Sequence, residues 1–149
     1  MDISARIRIL ATIKTGSVYY FQEEKLLSSE SHYFVVLNNN PRTEEFLILV
    51  CASSQIEKRQ RIIQKLGFPQ ETLVFISPTH YQIFKKDTVI DCNSVFEKTS
   101  SFLIEKLEQG KLKVCREVMP ETIIKNLVQG VLASNQISEK VKRMLTSSE

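Results

Sequence analysis

The chain has 149 residues, enough for one domain whose hydrophobic core needs no disulfide or metal staple. Apolar residues make up 42% of it and charged residues 25%, which excludes a disordered, collagenous or low-complexity chain. The formal net charge of +3 is too small an excess to name nucleic acid as a partner by itself.

Ser4 to Lys14 reads as a short N-terminal helix with Ile3, Ile7 and Leu10 on one face and Arg6 and Arg8 on others; its β-branched content leaves a strand as the alternative. Gly16 ends it. Ser17 to Phe21 is rich in strand formers. A polar loop, Gln22 to Ser31, carries Glu23, Glu24, Ser28, Ser29 and Glu30. His32 to Leu37 is almost continuously apolar and reads as a central strand. Asn38-Asn39-Asn40-Pro41-Arg42 is a turn, and Glu45 to Cys51 is a third strand, completing an antiparallel meander.

Ser53-Ser54-Gln55 opens a helix, with Ser54 as N-cap and Glu57 three residues on. Ile56, Ile63 and Leu66 line its inner face with Ile62 beside them, Lys58, Arg61 and Lys65 share the outer face, and Gly67 and Pro69 end it. Leu73 to Ile76 is a short strand, Ser77 to Tyr81 a turn, and Thr88 to Cys92 another strand. Asn93 and Ser94 mark its exit, with Val95 and Phe96 as a candidate extension. Ser100 to Gln109 is a helix stopped by Gly110. Leu112 to Val118 alternates apolar and charged residues, the pattern of an exposed or edge strand. Pro120 suits the first position of a helix whose broad apolar face (Ile123, Ile124, Leu127, Val128, Val131, Leu132) must pack on the sheet or on a second subunit. Ser138 caps a last helix with Val141, Met144 and Leu145 inward.

Early strands joined by short turns disfavour parallel βαβ winding. The expected class is α+β: a small curled antiparallel sheet with flanking helices, in a single domain with its core over 16–118 and a C-terminal helical extension over 119–149. No apolar run approaches the roughly 20 residues of a membrane span, and Met1 to Arg6 lacks the pattern of a secretory signal. A soluble, cytoplasmic protein with no membrane contact is expected. Cys51, Cys92 and Cys115 lie in or beside apolar runs. They read as core residues of a reducing compartment, and neither they nor His32 and His80 have metal-ligand spacing.

No cofactor is expected, because the four isolated glycines form neither a GxGxxG nor a P-loop. There is also no G-x-S-x-G elbow and no HExxH. The acidic pairs Glu23-Glu24 and Glu44-Glu45 read as solvated loop residues. One constellation carries chemistry. A strand ends at Cys51-Ala52, the hydroxyls of Ser53 and Ser54 follow at a helix start, and Lys58, Arg59 and Arg61 come next. Free backbone N–H groups beside hydroxyls and cations make a natural phosphate site; the alternative is a simple helix cap with solvated cations.

Gly16-Ser17-Val18-Tyr19-Tyr20-Phe21, the polar loop after it, Tyr33-Phe34-Val35-Val36-Leu37-Asn38 and Leu49-Val50-Cys51-Ala52-Ser53-Ser54 together resemble the first three strands of the MazF/PemK toxin superfamily. The resemblance spans Gly16 to Val95, more loosely through the helix after Ser100. It implies an SH3-like barrel, a homodimer, metal-independent endoribonuclease activity on single-stranded RNA, and an antitoxin-like protein partner that occupies the RNA groove. In this family a threonine or serine after the third strand is functional, and Ser53 matches it. The family's arginine at the start of the second strand is absent, because Ser31 and His32 stand there.

His32 is then a candidate acid or base, having an ordinary pKa near neutrality, or else a strand-end histidine without a role. Arg59 or Arg61 is a candidate replacement cation. Ser54, Lys58, Arg59 and Arg61 are the expected substrate-binding residues, with Ser53 and His32 catalytic. Tyr19, Tyr20 and Tyr33 are candidates to stack bases. Two alternatives stand beside this: a non-catalytic protein-interaction module using Pro120 to Ala133 and the edge strand, and an RNA-binding module that reads phosphates without cutting.

Overall fold

The computed structural model describes residues 3–26 and 29–146. Ser28 in the polar loop and the chain end at 147–149 lie outside them.

The elements run α1 (Ala5–Thr12), β1 (Val18–Phe21), β2 (His32–Val36), β3 (Leu47–Ser53), α2 (Ile56–Leu66), a 3-10 turn (Gln70–Thr72), β4 (Leu73–Ile76), β5 (Thr88–Asp91), β6 (Phe96–Lys98), α3 (Ser100–Glu108), β7 (Leu112–Val114), α4 (Glu121–Ala133) and α5 (Glu139–Thr146). The class is α+β. Every strand pair among the described residues is antiparallel. The strand order β4-β5-β3-β2-β1-β7 is an open path rather than a closed barrel, with β6 beside β3.

β3 organises this sheet. One edge pairs with β2, Phe34 opposite Cys51. The other edge is shared: Ala52 faces Ile90 of β5, while Leu49 faces Phe96 of β6. Three steps along β3 thus correspond to six along its neighbour, and the three extra residues form a bulge that bends the strand. Phe96 therefore belongs to a separate strand and does not extend β5.

Alternation along the strands explains the layering. Val18, Val35, Ile48 and Val50 point to a core shared with α4 and α5. Tyr19, Phe34, Val36, Leu47 and Leu49 point to the opposite core, shared with α1 and α3. With both faces covered, the central strands read as continuous apolar runs instead of alternating ones. The helix α2 packs Ile63 and Ile56 on Leu73 and Val89 in a third, smaller cluster.

Several local expectations shift. Ser54 does not cap α2; the N-cap is Gln55, which makes no side-chain capping bond, because Ser53 Oγ instead accepts from Gln55 N at 3.1 Å. Leu66 is 58% exposed, because α2 covers only a narrow two-stranded edge. In α1 the buried residues are Ile9 and the following Ile13, which leaves Ile3 and Ile7 about 60% exposed. The third strand starts at Leu47, because Asn38 turns the chain there: its Nδ2 donates to Phe46 O at 2.9 Å, and its Oδ1 accepts from Ile48 N at 2.6 Å. β7 lies at the sheet edge as expected but ends at Val114. Pro120 is the N-cap of α4, and its carbonyl accepts from Ile123 and Ile124. Ser138 caps α5 through Val141 N at 3.2 Å, as its position foretold.

The apolar face of α4 is covered by its own chain. Ile123, Ile124, Leu127 and Val131 are buried, each contributing roughly 1.5–3 kcal/mol. No helix among the described residues is long and apolar enough to cross a membrane.

Candidate functional site

A cleft of about 570 Å³ opens where β2, the end of β3, the start of α2 and the 77–87 connection meet. It brings together five of the six residues singled out above: His32, Ser53, Ser54, Lys58 and Arg59. Arg61 does not line it; it is exposed elsewhere on α2.

β2 begins at His32, opposite Phe21. The half-buried imidazole has Nδ1 3.2 Å from Glu30 O. A carbonyl only accepts, so Nδ1 carries the hydrogen, and in the neutral ring Nε2 keeps its lone pair for another proton. His80, by contrast, is a turn residue, its Nδ1 3.0 Å from Ser77 Oγ.

Ser53 ends β3, paired with Val89. Because its oxygen accepts from Gln55 N, its hydroxyl hydrogen is left to donate elsewhere. The first turn of α2 has no side-chain cap, so the helix presents N–H groups at the cleft beside Ser54 and Gln55. Arg59, one turn in, has its Nε buried without a hydrogen-bond partner. A buried guanidinium N–H without an acceptor is costly.

Sequence reading missed the opposite wall. Lys85 and Lys86 line the same cleft, so four cations meet one carboxylate, Glu30. Two basic residues in a connecting loop look like ordinary solvated charge. The available signal was the pair of aromatics just before them, Tyr81 and Phe84, which is unusual in a free loop. Phe84 is buried against Tyr33, with centroids 5.3 Å apart, and against Tyr81 at 4.9 Å. Tyr33 in turn pairs with Tyr20, centroids 4.5 Å apart, and both line the cleft. Tyr19 points to the other side of the sheet and is fully buried, so it cannot stack a base.

The three cysteines are free, and burial pushes their thiols up, to about 12 for Cys51, about 12 for Cys92 and about 11 for Cys115. They act as packing groups, not nucleophiles. Among the described residues no three His, Cys, Asp or Glu side chains converge as a metal-ligand set.

No protein-family model matches the chain, and no curated protein matches it at a significant level.

Proposed function

We propose that the chain is a MazF/PemK-like, toxin-type endoribonuclease whose cationic cleft binds single-stranded RNA. The observation that supports this reading is the convergence in one cleft of His32 at the start of β2, the Ser53–Arg59 segment at the end of β3 and the start of α2, and the Tyr20–Tyr33 pair. The ribose 2′-hydroxyl gives its proton to His32 Nε2 and attacks the adjacent phosphorus. The bond from phosphorus to the 5′-oxygen breaks, leaving a 2′,3′-cyclic phosphate. Ser53 hydrogen-bonds the departing oxygen, which takes its proton from water. Arg59, in place of the family's missing arginine, stabilises the charge that builds on the phosphorane oxygens. On this reading the branched sheet corresponds to the family's SH3-like barrel opened between β4 and β7. The protein forms a homodimer, works in the cytoplasm, and has an antitoxin-like protein as a second occupant of the cleft.

A second reading is favoured by one feature, the absence of arginine at the start of β2: a module that binds RNA through the same cleft without cutting it. The module that docks a protein through α4 loses support, because the apolar face of α4 is already covered.

The test is cleavage of a long mixed-sequence RNA in EDTA by wild type, Ser53→Ala and His32→Ala. Discrete fragments with cyclic phosphate ends, falling about 100-fold or more in either variant, are expected. Fragments that persist undiminished in both variants would remove the site. Binding without cleavage would leave the non-catalytic module.

A further inference from the structure

We infer that Lys85 and Lys86 form a second phosphate-positioning wall, so that the cleft's ligand is a strand with at least two successive phosphates and not a mononucleotide. The inference rests on the single-stranded RNA reading above and extends it to residues that neither sequence nor resemblance marked.

Cations enter the cleft from two separate elements. α2 supplies Lys58 and Arg59, and the 77–87 connection supplies Lys85 and Lys86. A single phosphate carries at most two negative charges, so four cations from two walls exceed what one phosphate neutralises. Neither lysine forms an ion pair with a carboxylate among the described residues. Their charges are therefore not committed to the fold.

The connection that carries them is held in place, as a positioning wall requires. Phe84, directly before the lysines, is buried between Tyr33 and Tyr81. The Tyr81 hydroxyl donates to Glu117 O at 2.6 Å, tying the loop to the segment after β7. Thr88 Oγ1 donates to Lys86 O at 3.0 Å, fixing the backbone at the second lysine. Arg59 lines the first wall one helical turn after Gln55. The Tyr20–Tyr33 pair supplies aromatic faces for a base in the same space.

The experiment measures binding of a mixed-sequence 2′-O-methyl RNA decamer, which lacks the attacking hydroxyl, by fluorescence anisotropy across salt concentrations, with a mononucleotide alongside. The double variant Lys85→Gln/Lys86→Gln is compared with a charge control at the opposite end of the sheet, Lys14→Gln/Lys140→Gln, where Lys14 precedes β1 and Lys140 lies over the Phe46 ring before β3. Each phosphate contact on a single strand contributes about 0.7 to the slope of log affinity against log salt, so the cleft variant should lose about 1.4 of slope and about tenfold in affinity. The control should lose neither, and the mononucleotide should bind far more weakly than the decamer. Equal losses in both double variants would reduce the effect to net charge and overturn the inference. Decamer binding with an unchanged slope in the cleft variant would overturn the inference alone and leave the RNA reading standing. A folded wild type that binds no decamer would overturn both.

Discussion

Gly130 shows how one residue's role depends on its neighbour. In an exposed helix, replacing glycine by alanine stabilises by about 1 kcal/mol. Here a Cβ would lie 2.8 Å from Cys92 Sγ and 2.8 Å from Glu71 O, because α4 crosses the bulge and the 3-10 turn at that point. The backbone oxygen cannot swing aside as a side chain would. Gly130→Ala should therefore destabilise by about 1–3 kcal/mol, read as a lowered midpoint in urea with an unchanged slope. A raised midpoint would mean that the crossing is looser than the geometry indicates. The apolar pattern in 121–133 identified the helix, but nothing in that pattern marks Gly130 as a contact, since a glycine's packing partner lies elsewhere in the chain. The cleft residues divide the same way. Ser53 and His32 were legible because strand ends and side-chain chemistry are local, whereas the partnership of Lys85 with Lys58 was not.

At the scale of the element, the bulge between β5 and β6 is the least local feature. Asn93 holds it. Its backbone N and its Nδ2 both donate to Asp91 Oδ1 at 2.9 Å, and Nδ2 also donates to Thr72 Oγ1 at 2.9 Å. Ser134 Oγ, at the end of α4, donates to Asn93 Oδ1 at 2.6 Å. One buried amide thus joins the bulge, the 3-10 turn and the last turn of α4. Asn93→Ala should strand buried polar atoms of Thr72 and Ser134 and cost about 1–3 kcal/mol, lowering Tm by roughly 2–4 °C per kcal/mol for a chain of this size. A change below about 0.5 kcal/mol would show that the network relaxes without its hub. In the sequence Asn93-Ser94 signalled only that a strand stops. That a second strand restarts two residues later follows from β3 being long enough to pair with both.

The whole molecule is a sheet sandwiched between α1 and α3 on one side and α4 and α5 on the other. Long-range polar ties close its margins. Lys98 Nζ of β6 reaches Glu23 Oε1 of the first loop at 2.6 Å and also lies over the Phe102 ring, 4.5 Å from its centroid. Burial raises the Glu23 carboxyl, but the Lys98 ammonium and the backbone N–H of Lys25 outweigh it, so the folded value lies below the ordinary 4.5. The unfolded chain therefore binds this proton more tightly. The stabilisation is complete above about pH 4.5 and is lost as pH falls through the lower folded value. Glu23→Gln should reduce stability most at neutral pH, and the gap to wild type should close on acidification, as denaturation midpoints followed from pH 7 to pH 3 would record. A gap independent of pH would assign the loss to packing instead.

The sequence by itself determined the elements and their class. Side-chain periodicity, strand-forming runs, the Asn38–Arg42 turn and the caps at Gly67 and Ser138 act over a few residues, so they are written where they operate. It also marked His32, Ser53 and Arg59 as candidates, and the fold brings all three to one cleft. The tertiary structure decided which face of α1 is buried, that α4 closes over its own sheet, that the strands follow an open path, and that a loop some 30 residues beyond α2's start supplies the cleft's second wall. Those outcomes depend on which apolar surfaces meet, and burial is a property of pairs of distant segments that no local pattern encodes.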